Sequence, residues 1–427
     1  MDKDEVNRVD KIIHRLTNKN FFHGKKIFLF GASDYTRRVI QILQKYQVEP
    51  EYVLDNDNRK RHSFCSGVEV IMPEDVEDIL DEKKVYAMYS PSWREMQEQL
   101  LQLKVPKRRI ISLYEKEKTL LSRLYESYKG KKVYERIQKK YRHLPILFCP
   151  YTGTGDIYLS GTFLNQYIEK EGLKDYVLVV LSNACKKVAD IFRIRNVEVL
   201  NYQKEGEYLI RYYLLCRNRI SLTILNDSWR RIHTNKLEWF RGYKHWYFME
   251  LFRTFVFDLP DDALPEKPVF DNVDEELDRI FEENRLQAGR TVVIAPYATT
   301  LADLPSSFWA EIVDYLRNKN YIVCTNCAGP SEQALSGTIP VSFSLTIAPQ
   351  FVSRAGFFIG VRSGLCDVIS AAEAEKIILY DKDNWFYNCS AYRYFSLNHM
   401  GLCEDAIEIE YNSQQLEQYI EKIKQYF

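Results

Sequence analysis

Short apolar runs alternate with helix-patterned segments along most of this 427-residue chain. Each run is long enough for one strand and is followed by a turn and then by apolar residues at helical spacing. The clearest runs are residues 26–30, 51–54, 85–89, 144–149, 176–181, 291–295, 321–325 and 357–360. Strands that alternate with helices pair in parallel through right-handed crossovers. The sequence therefore predicts an α/β protein with several parallel sheets.

The runs group into three α/β domains. The first occupies residues 1–115, the second 144–268, and the third 269–427, which ends in an amphipathic helix. Residues 116–143 are highly charged and are predicted to form a helical linker. A proline-rich stretch at residues 258–270 indicates the boundary between the second and third domains.

Charge and cysteine content narrow the class of protein. Lys plus Arg and Asp plus Glu both total 59, so the net charge is zero. This argues against a dedicated nucleic-acid-binding protein, which needs an excess of positive charge. Nine scattered cysteines favour reduced thiols and a cytoplasmic location. The start of the chain lacks a signal-peptide pattern, and no stretch approaches the ~20 apolar residues of a spanning helix. The aromatic and basic residues 239–257 suit either an internal helix or a peripheral contact with a membrane surface.

The first domain carries a candidate nucleotide site. The turn from Gly31 to Ser33 follows its first strand, and Asp55 ends its second, where a carboxylate can bind a ribose hydroxyl. The turn lacks the full dinucleotide fingerprint, so a docking domain without a ligand is the alternative. The domain resembles the small nucleotide-binding domain that precedes the catalytic part of some bacterial sugar acyltransferases. The residues that carry this resemblance are 28–33, 53–57 and 67–71.

A glycine-rich turn opens the second domain. Gly153, Thr154 and Gly155 follow its first strand and lead to Asp156, where a helix is predicted to begin. Asp156 lies at the carboxyl end of a parallel strand, where open α/β sheets bind ligands. Its carboxylate could accept the proton of an attacking hydroxyl. The alternative is a helix N-cap with a purely structural role.

A second strand-to-helix turn lies in the third domain. Arg362, Ser363 and Gly364 follow a strand, and a helix is predicted from Leu365. Free N–H groups at a helix start bind anions, and a guanidinium suits a diphosphate. The alternative for Arg362 is an ion pair with Asp367 or another neighbour.

The order of these motifs resembles that of lipopolysaccharide heptosyltransferase-like glycosyltransferases of the GT-B class. The second domain resembles their Gly-x-Gly-Asp turn, and about 90 residues of the third resemble their donor lobe. The segments that carry the resemblance are 153–159, 292–298, 304–316 and 358–367. It implies two facing Rossmann-like lobes, here named the acceptor lobe (residues 144–268) and the donor lobe (residues 269–427), plus the additional N-terminal Rossmann-like domain.

The resemblance also implies a reaction. It would be an inverting transfer of a sugar from a nucleotide-diphosphate sugar to a hydroxyl of a cell-surface glycan or lipid-linked precursor, without metal or cofactor. Asp156 would be the general base. Ser363, Gly364 and Leu365 would hold the donor diphosphate through backbone and hydroxyl donors.

Two features depart from the family pattern. The family often places a basic residue in the loop that corresponds to residues 299–303, and this loop has none. Hydroxyls of Thr299 and Thr300 could substitute, and Arg362 could supply the charge. Asp367 stands where the family has His.

Two rival functions remain at this point. A polyol-phosphate transferase of the teichoic-acid type uses similar lobes, but it would be expected to carry a His-centred phosphate site. The other rival is a nucleotide-sugar-binding or scaffolding subunit without catalysis.

Overall fold

The computed structural model describes residues 3–90, 92–114, 120–200, 203–216, 219–226, 248–298, 304–329, 332–382, 385–386, 389–412 and 415–427. These residues form two compact units. The first contains the described residues up to Ser122, and the second contains those from Arg123 onward. Each unit is described by itself.

The first unit is built on a six-stranded sheet with the order β3-β4-β2-β1-β5-β6, parallel except for the β3–β4 pair. Its strands are β1 (Lys26–Phe30), β2 (Pro50–Leu54), β3 (Phe64–Cys65), β4 (Val68–Ile71), β5 (Lys84–Met88) and β6 (Ile110–Ser112). Its helices are α1 (Lys3–Asn18), α2 (Asp34–Lys45) and α3 (Trp93–Gln102). Helices α1 and α2 contribute to the core of this unit. They bury Val9 and Ile13 of α1 together with Ile40 and Leu43 of α2.

The acceptor lobe lies in the second unit and has a parallel sheet with the order β10-β7-β8-β9. Its strands are β7 (Ile146–Phe148), β8 (Val177–Val180), β9 (Val197–Val199) and β10 (Leu222–Ile224). The associated helices are α4 (Leu120–Lys140), α5 (Thr154–Glu171), α6 (Asn183–Ile191), α7 (Gln203–Cys216) and the short α8 (Phe248–Glu250), which continues as a π-helix over Leu251–Val256.

Helix α4 lies in the segment predicted as a linker, and its second half packs on the acceptor-lobe sheet. Val133 and Ile137 are buried in one cluster with residues of β7 and β8. A Cβ on Gly130 would lie 1.9 Å from the Tyr208 carbonyl oxygen of α7. Gly130, the helix-breaking residue of the charged segment, therefore permits close contact between α4 and α7.

The donor lobe has a six-stranded parallel sheet with the order β13-β12-β11-β14-β15-β18. Its strands are β11 (Thr291–Ala295), β12 (Ile322–Asn326), β13 (Ile339–Val341), β14 (Gly356–Val361), β15 (Glu375–Asp381) and β18 (Ile407–Tyr411), and a separate antiparallel pair is β16 (Trp385–Phe386) with β17 (Cys389–Ser390). Its helices are α9 (Asp274–Glu283), α10 (Ser306–Asn318), α11 (Ala348–Ala355), α12 (Gly364–Val368), α13 (Ala391–Phe395) and α14 (Leu416–Lys424).

The strand order of the donor lobe reverses between β11 and β14, where Ala295 is paired with Gly360. Open α/β sheets bind ligands at such a switch point, outside the carboxyl ends of the strands. The turn after β14 lies at this edge.

Helix α5 joins the two lobes. Almost every residue from 155 to 164 is buried, and their side chains share one apolar cluster with donor-lobe residues such as Phe351 and Cys366. A helix that is buried all round belongs to a core rather than to a surface. The predicted α/β class, with two Rossmann-like lobes and a further N-terminal α/β domain, is confirmed.

Candidate active site between the two lobes

The start of α5 positions the first candidate, Asp156. Gly153 is the N-cap in an extended conformation, so Asp156 is the third residue of the helix rather than its cap. A Cβ on Gly153 would lie 2.3 Å from Asp156 Oδ2, so the carboxylate folds back over Gly153. The structural alternative for Asp156, a direct N-cap, is not what the structure shows.

The turn after β14 positions the second set. Arg362 N donates to Leu379 O at 2.9 Å, which ties the turn to β15. Ser363 is the extended N-cap of α12, and its side chain makes no capping hydrogen bond. Helix α12 has five residues and continues as one 3-10 turn to Ala371.

The two turns meet although about 200 residues separate them in the sequence. A Cβ on Gly364 would lie 2.6 Å from Thr154 Oγ1 and 2.8 Å from the backbone nitrogen of Gly155. A Cβ on Gly155 would lie 2.4 Å from Asp367 Oδ2. Each turn can approach the other only because each has a glycine at the point of contact.

A buried ion pair lies directly behind this contact. Arg362 Nη2 is 2.5 Å from Asp367 Oδ1, and Nη1 is 3.1 Å from Oδ2, with side chains 8% and 2% exposed. Arg362 Nε also donates to Phe395 O at 3.0 Å, and Nη1 donates to Ser363 O. Burial is the largest single effect and disfavours the charged guanidinium, but Asp367, Tyr380 and Cys366 together outweigh it and raise the pKa of Arg362, so the side chain stays cationic.

Asp156 has an unusual proton affinity for a carboxyl group. Burial and, second, the charge of Asp367 together raise the pKa of Asp156 to about 7, against the opposing effects of its own backbone N–H and of Arg362. Cys149 and Cys185 also lie near Asp156, and burial raises the pKa of both thiols, so both are neutral at pH 7. A carboxyl group with a pKa near 7 can both take and release a proton under physiological conditions.

The structure assigns Arg362 and Asp367 a different role from the predicted one. The prediction was that the guanidinium would face a donor diphosphate, but it is occupied by Asp367 and by two backbone carbonyls. The alternative, an ion pair with Asp367, is the arrangement present, buried rather than at the surface. Phe395 could not be identified as a partner from local sequence, because its carbonyl lies 33 residues away.

The remaining predicted donor and acceptor residues are partly described. Thr154 and Gly155 lie against Gly364 of the donor-lobe turn, whereas Gly153 lies against the Asp156 carboxylate. Ser363, Gly364 and Leu365 form the start of α12. Thr299 and Thr300 lie outside the described residues.

The accessory nucleotide residues of the first unit serve the local fold. Asp55 Oδ2 accepts from Ala32 N at 2.7 Å and from Lys60 Nζ at 3.1 Å, and Oδ1 accepts from Asp57 N at 2.8 Å. Ser33 Oγ caps α2, and Gly31 has a φ of +95°. Both oxygens of Asp55 are thus committed to the turn, so the predicted contact with a ribose is not shown.

Metal-binding groups and membrane-spanning helices can be assessed in the described part of the chain. No group of three or more His, Cys, Asp and Glu side chains there is placed to hold a metal ion. No described helix is long and apolar enough to cross a membrane.

Comparisons with known proteins find structural likeness only. No family model matches the chain, and no curated protein matches it. Among solved structures it is similar to the E. coli ADP-heptose lipopolysaccharide heptosyltransferase II, with 14% identity and a TM-score of 0.47 over 66% of this chain and 98% of that one. It is also similar to a glycosyl transferase family 9 protein from Veillonella parvula (14%, TM-score 0.44, 66% and 89%) and to E. coli heptosyltransferase WaaC (12%, TM-score 0.42, 66% and 98%). Likeness at this level carries no argument about substrate or reaction.

Proposed function

We propose that the chain is a glycosyltransferase that moves a sugar from a nucleotide-diphosphate sugar to a hydroxyl group, with inversion and without a metal or cofactor. The observation that carries this proposal is the meeting of the Gly153–Asp156 turn with the Ser363–Leu365 turn at the junction of two Rossmann-like lobes. The carboxyl group at this junction has a pKa raised to about 7. The proposal therefore rests on site geometry together with the motif order in the sequence.

The chemistry requires one displacement. Asp156 takes the proton of the acceptor hydroxyl while the hydroxyl oxygen forms a bond to the anomeric carbon. The bond from that carbon to the diphosphate oxygen breaks, and the nucleoside diphosphate leaves with the electron pair. We assign Ser363, Gly364 and Leu365 to the diphosphate through backbone N–H groups and the Ser363 hydroxyl, since donors aimed at developing charge lower the barrier. Arg362 acts indirectly, because its guanidinium already holds Asp367.

The proposed acceptor is a cell-surface glycan or its lipid-linked precursor, and the proposed setting is the cytoplasm, at the inner face of the membrane where the acceptor is lipid-linked. The eight cysteines whose side chains are described are free thiols, which suits a reducing compartment.

The first experiment identifies the donor. The full chain is melted with UDP, GDP, ADP and CDP and with their commercial sugar conjugates, because a ligand that binds the folded state raises its melting temperature. Donor cleavage is then followed as release of nucleoside diphosphate, with water or a glycan extract as acceptor. The proposal predicts one nucleotide class that raises the melting temperature and a conjugate that is cleaved.

Matched variants test the assigned base. Asp156→Asn should lower nucleoside diphosphate release by about 10²–10⁴-fold while the nucleotide still raises the melting temperature. Asp190→Asn changes a half-buried carboxylate of the same lobe that pairs with Lys186, and it should leave release unchanged. Equal release from Asp156→Asn and wild type would remove Asp156 from the mechanism.

The reaction products separate the rival functions. Sugar transfer releases a nucleoside diphosphate, whereas polyol-phosphate transfer breaks the bond between the two phosphates and releases a nucleoside monophosphate. A non-catalytic subunit binds nucleotide without cleaving it.

A further inference from the structure

The lobe junction contains a second carboxylate that the proposed reaction does not use. Asp367 comes from the donor lobe, and its Oδ2 lies so close to Gly155 that a Cβ on that glycine would approach it to 2.4 Å. Gly155 directly precedes Asp156 on the acceptor lobe. Two acidic side chains from different lobes thus lie at one helix start.

Holding a charge in this position requires compensation. Asp367 is 2% exposed, and an isolated carboxylate in such surroundings would be strongly disfavoured. Arg362 supplies part of the compensation with two hydrogen bonds to the carboxylate, and the Phe395 carbonyl fixes the guanidinium from the other side. Burial still leaves the pKa of Asp367 above its ordinary value. The orientation of Asp367 is therefore set by the donor lobe alone, before any contact with α5.

We propose that Asp367 is a positioning residue of the site: Arg362 holds its carboxylate at the lobe junction, against Gly155, so that its negative charge makes the neighbouring Asp156 a stronger base when the two lobes are assembled. This inference rests on the proposed function. It gives Asp367 a role that differs from direct contact with the donor. It also explains why a buried ion pair is present here, since desolvation of the two charges makes such a pair a poor way to stabilise a core.

The charged and titratable groups around Asp156 decide whether its pKa rises or falls when Asp367 is replaced. Asp367 and Arg362 face it from the donor lobe, and Cys149 and Cys185 face it from the acceptor lobe, besides the N–H groups of α5. Both thiols are neutral at pH 7. Asp367 raises the pKa of Asp156, and Arg362 lowers it by less. Removal of the Asp367 charge should therefore lower the pKa of Asp156.

The test compares pH profiles of nucleoside diphosphate release. The rate should rise with pH as Asp156 ionises, and Asp367→Asn should move this rise to lower pH by about one unit. The double variant Arg362→Gln with Asp367→Asn removes both charges and avoids an unpaired buried guanidinium. It should show a smaller shift in the same direction. The exposed donor-lobe carboxylate Asp314 gives the control, since Asp314→Asn should leave the profile in place.

A second readout does not depend on turnover. In full-length protein labelled with ¹³C at the aspartate carboxyl carbon, the Asp156 signal is the one absent from Asp156→Asn. Its titration midpoint should move to lower pH in Asp367→Asn and, by less, in the double variant. Unchanged midpoints in both folded variants would overturn the positioning role.

The two proposals fail in different ways. If Asp156→Asn abolishes release while Asp367→Asn lowers the rate without moving the profile, Asp367 is only structural and the proposed function stands. If Asp156→Asn leaves release unchanged, the proposed base is wrong, and the carboxyl titration still decides whether Asp367 acts on Asp156.

Discussion

Replacement of Asp156 by Asn should stabilise the protein at neutral pH while it removes the proposed base. The pKa of Asp156 is raised from 3.8 to about 7, first by burial and then by Asp367. A pKa shift of about three units means that ionisation of Asp156 costs about 4 kcal/mol more in the folded state than in the unfolded state, at about 1.36 kcal/mol per unit. This is an upper value, because the side chain retains some exposure.

The direction follows from proton binding. The folded state holds the proton of Asp156 more tightly than the unfolded state does, so the free energy of unfolding falls as pH rises from about 4 to about 7 and is level above that. Asparagine resembles the protonated carboxyl group at every pH. The advantage of Asp156→Asn over wild type should therefore grow by about 3 kcal/mol between pH 5 and pH 8, since about two units of the shift fall in this window.

Urea unfolding at a series of pH values measures this difference. Fluorescence of the buried Trp309 contributes to the signal from the donor lobe, and the midpoints are comparable where the slopes agree. Asp314→Asn serves as the control and should differ from wild type by a constant amount at all pH values. A difference between Asp156→Asn and wild type that stays flat from pH 5 to pH 8 would refute the raised pKa, and with it the electrostatic description of the junction.

Three further substitutions test close contacts. Gly155→Ala should destabilise the second unit by about 1–3 kcal/mol in urea unfolding, because its Cβ would lie 2.4 Å from Asp367 Oδ2. Gly130→Ala should cost about 3 kcal/mol in the same assay, despite the better helix propensity of alanine, because its Cβ would lie 1.9 Å from the Tyr208 carbonyl oxygen. Asp55→Asn should lower the stability of the first unit by about 1–3 kcal/mol, measured by hydrogen exchange, since one backbone N–H would then face an amide donor, and it should leave nucleotide binding unchanged.

Each of these predictions has a matched control. Gly329→Ala should cost little, because its Cβ would meet the flexible side chain of Glu332 at 3.3 Å. Asp34→Asn changes a carboxylate that is 90% exposed and should not affect hydrogen exchange in the core of the first unit. Wild-type stability in Gly155→Ala or Gly130→Ala would mean that the helices are farther apart than described. Loss of nucleotide binding in Asp55→Asn would support the predicted accessory nucleotide site.

Local signals were sufficient to predict most of the regular structure. The predicted strands at 26–30 and 291–295 coincide with β1 and β11, because each is an uninterrupted apolar run between polar turns. The two-residue strand β3 at Phe64–Cys65 was missed, since it has no apolar run and depends on antiparallel pairing with β4. Strand β10 (Leu222–Ile224) is absent from the predicted strands; it has only three residues and pairs in parallel with β7 at the edge of the sheet.

The candidate site could be predicted only as two separate turns. Glycine and acidic residues after a strand are visible in the sequence, and both turns lie where they were expected. The partner of a charged side chain is a property of the assembled lobe. Arg362 could equally serve a phosphate or a carboxylate, and the choice is made by Asp367 one helical turn away together with a carbonyl from α13.

The glycines show what the junction requires of both lobes. Gly155 faces Asp367, and Gly364 faces Thr154, so a side chain added on either lobe would push the other lobe away. An enlarged residue at Gly364 should then separate Asp367 from Asp156 even though both carboxylates remain. In Gly364→Ala, the pKa of Asp156 should therefore fall toward its ordinary value, as in Asp367→Asn. A carboxyl titration that moves in Asp367→Asn but stays in place in Gly364→Ala would show that the charge of Asp367 acts without close contact between the lobes.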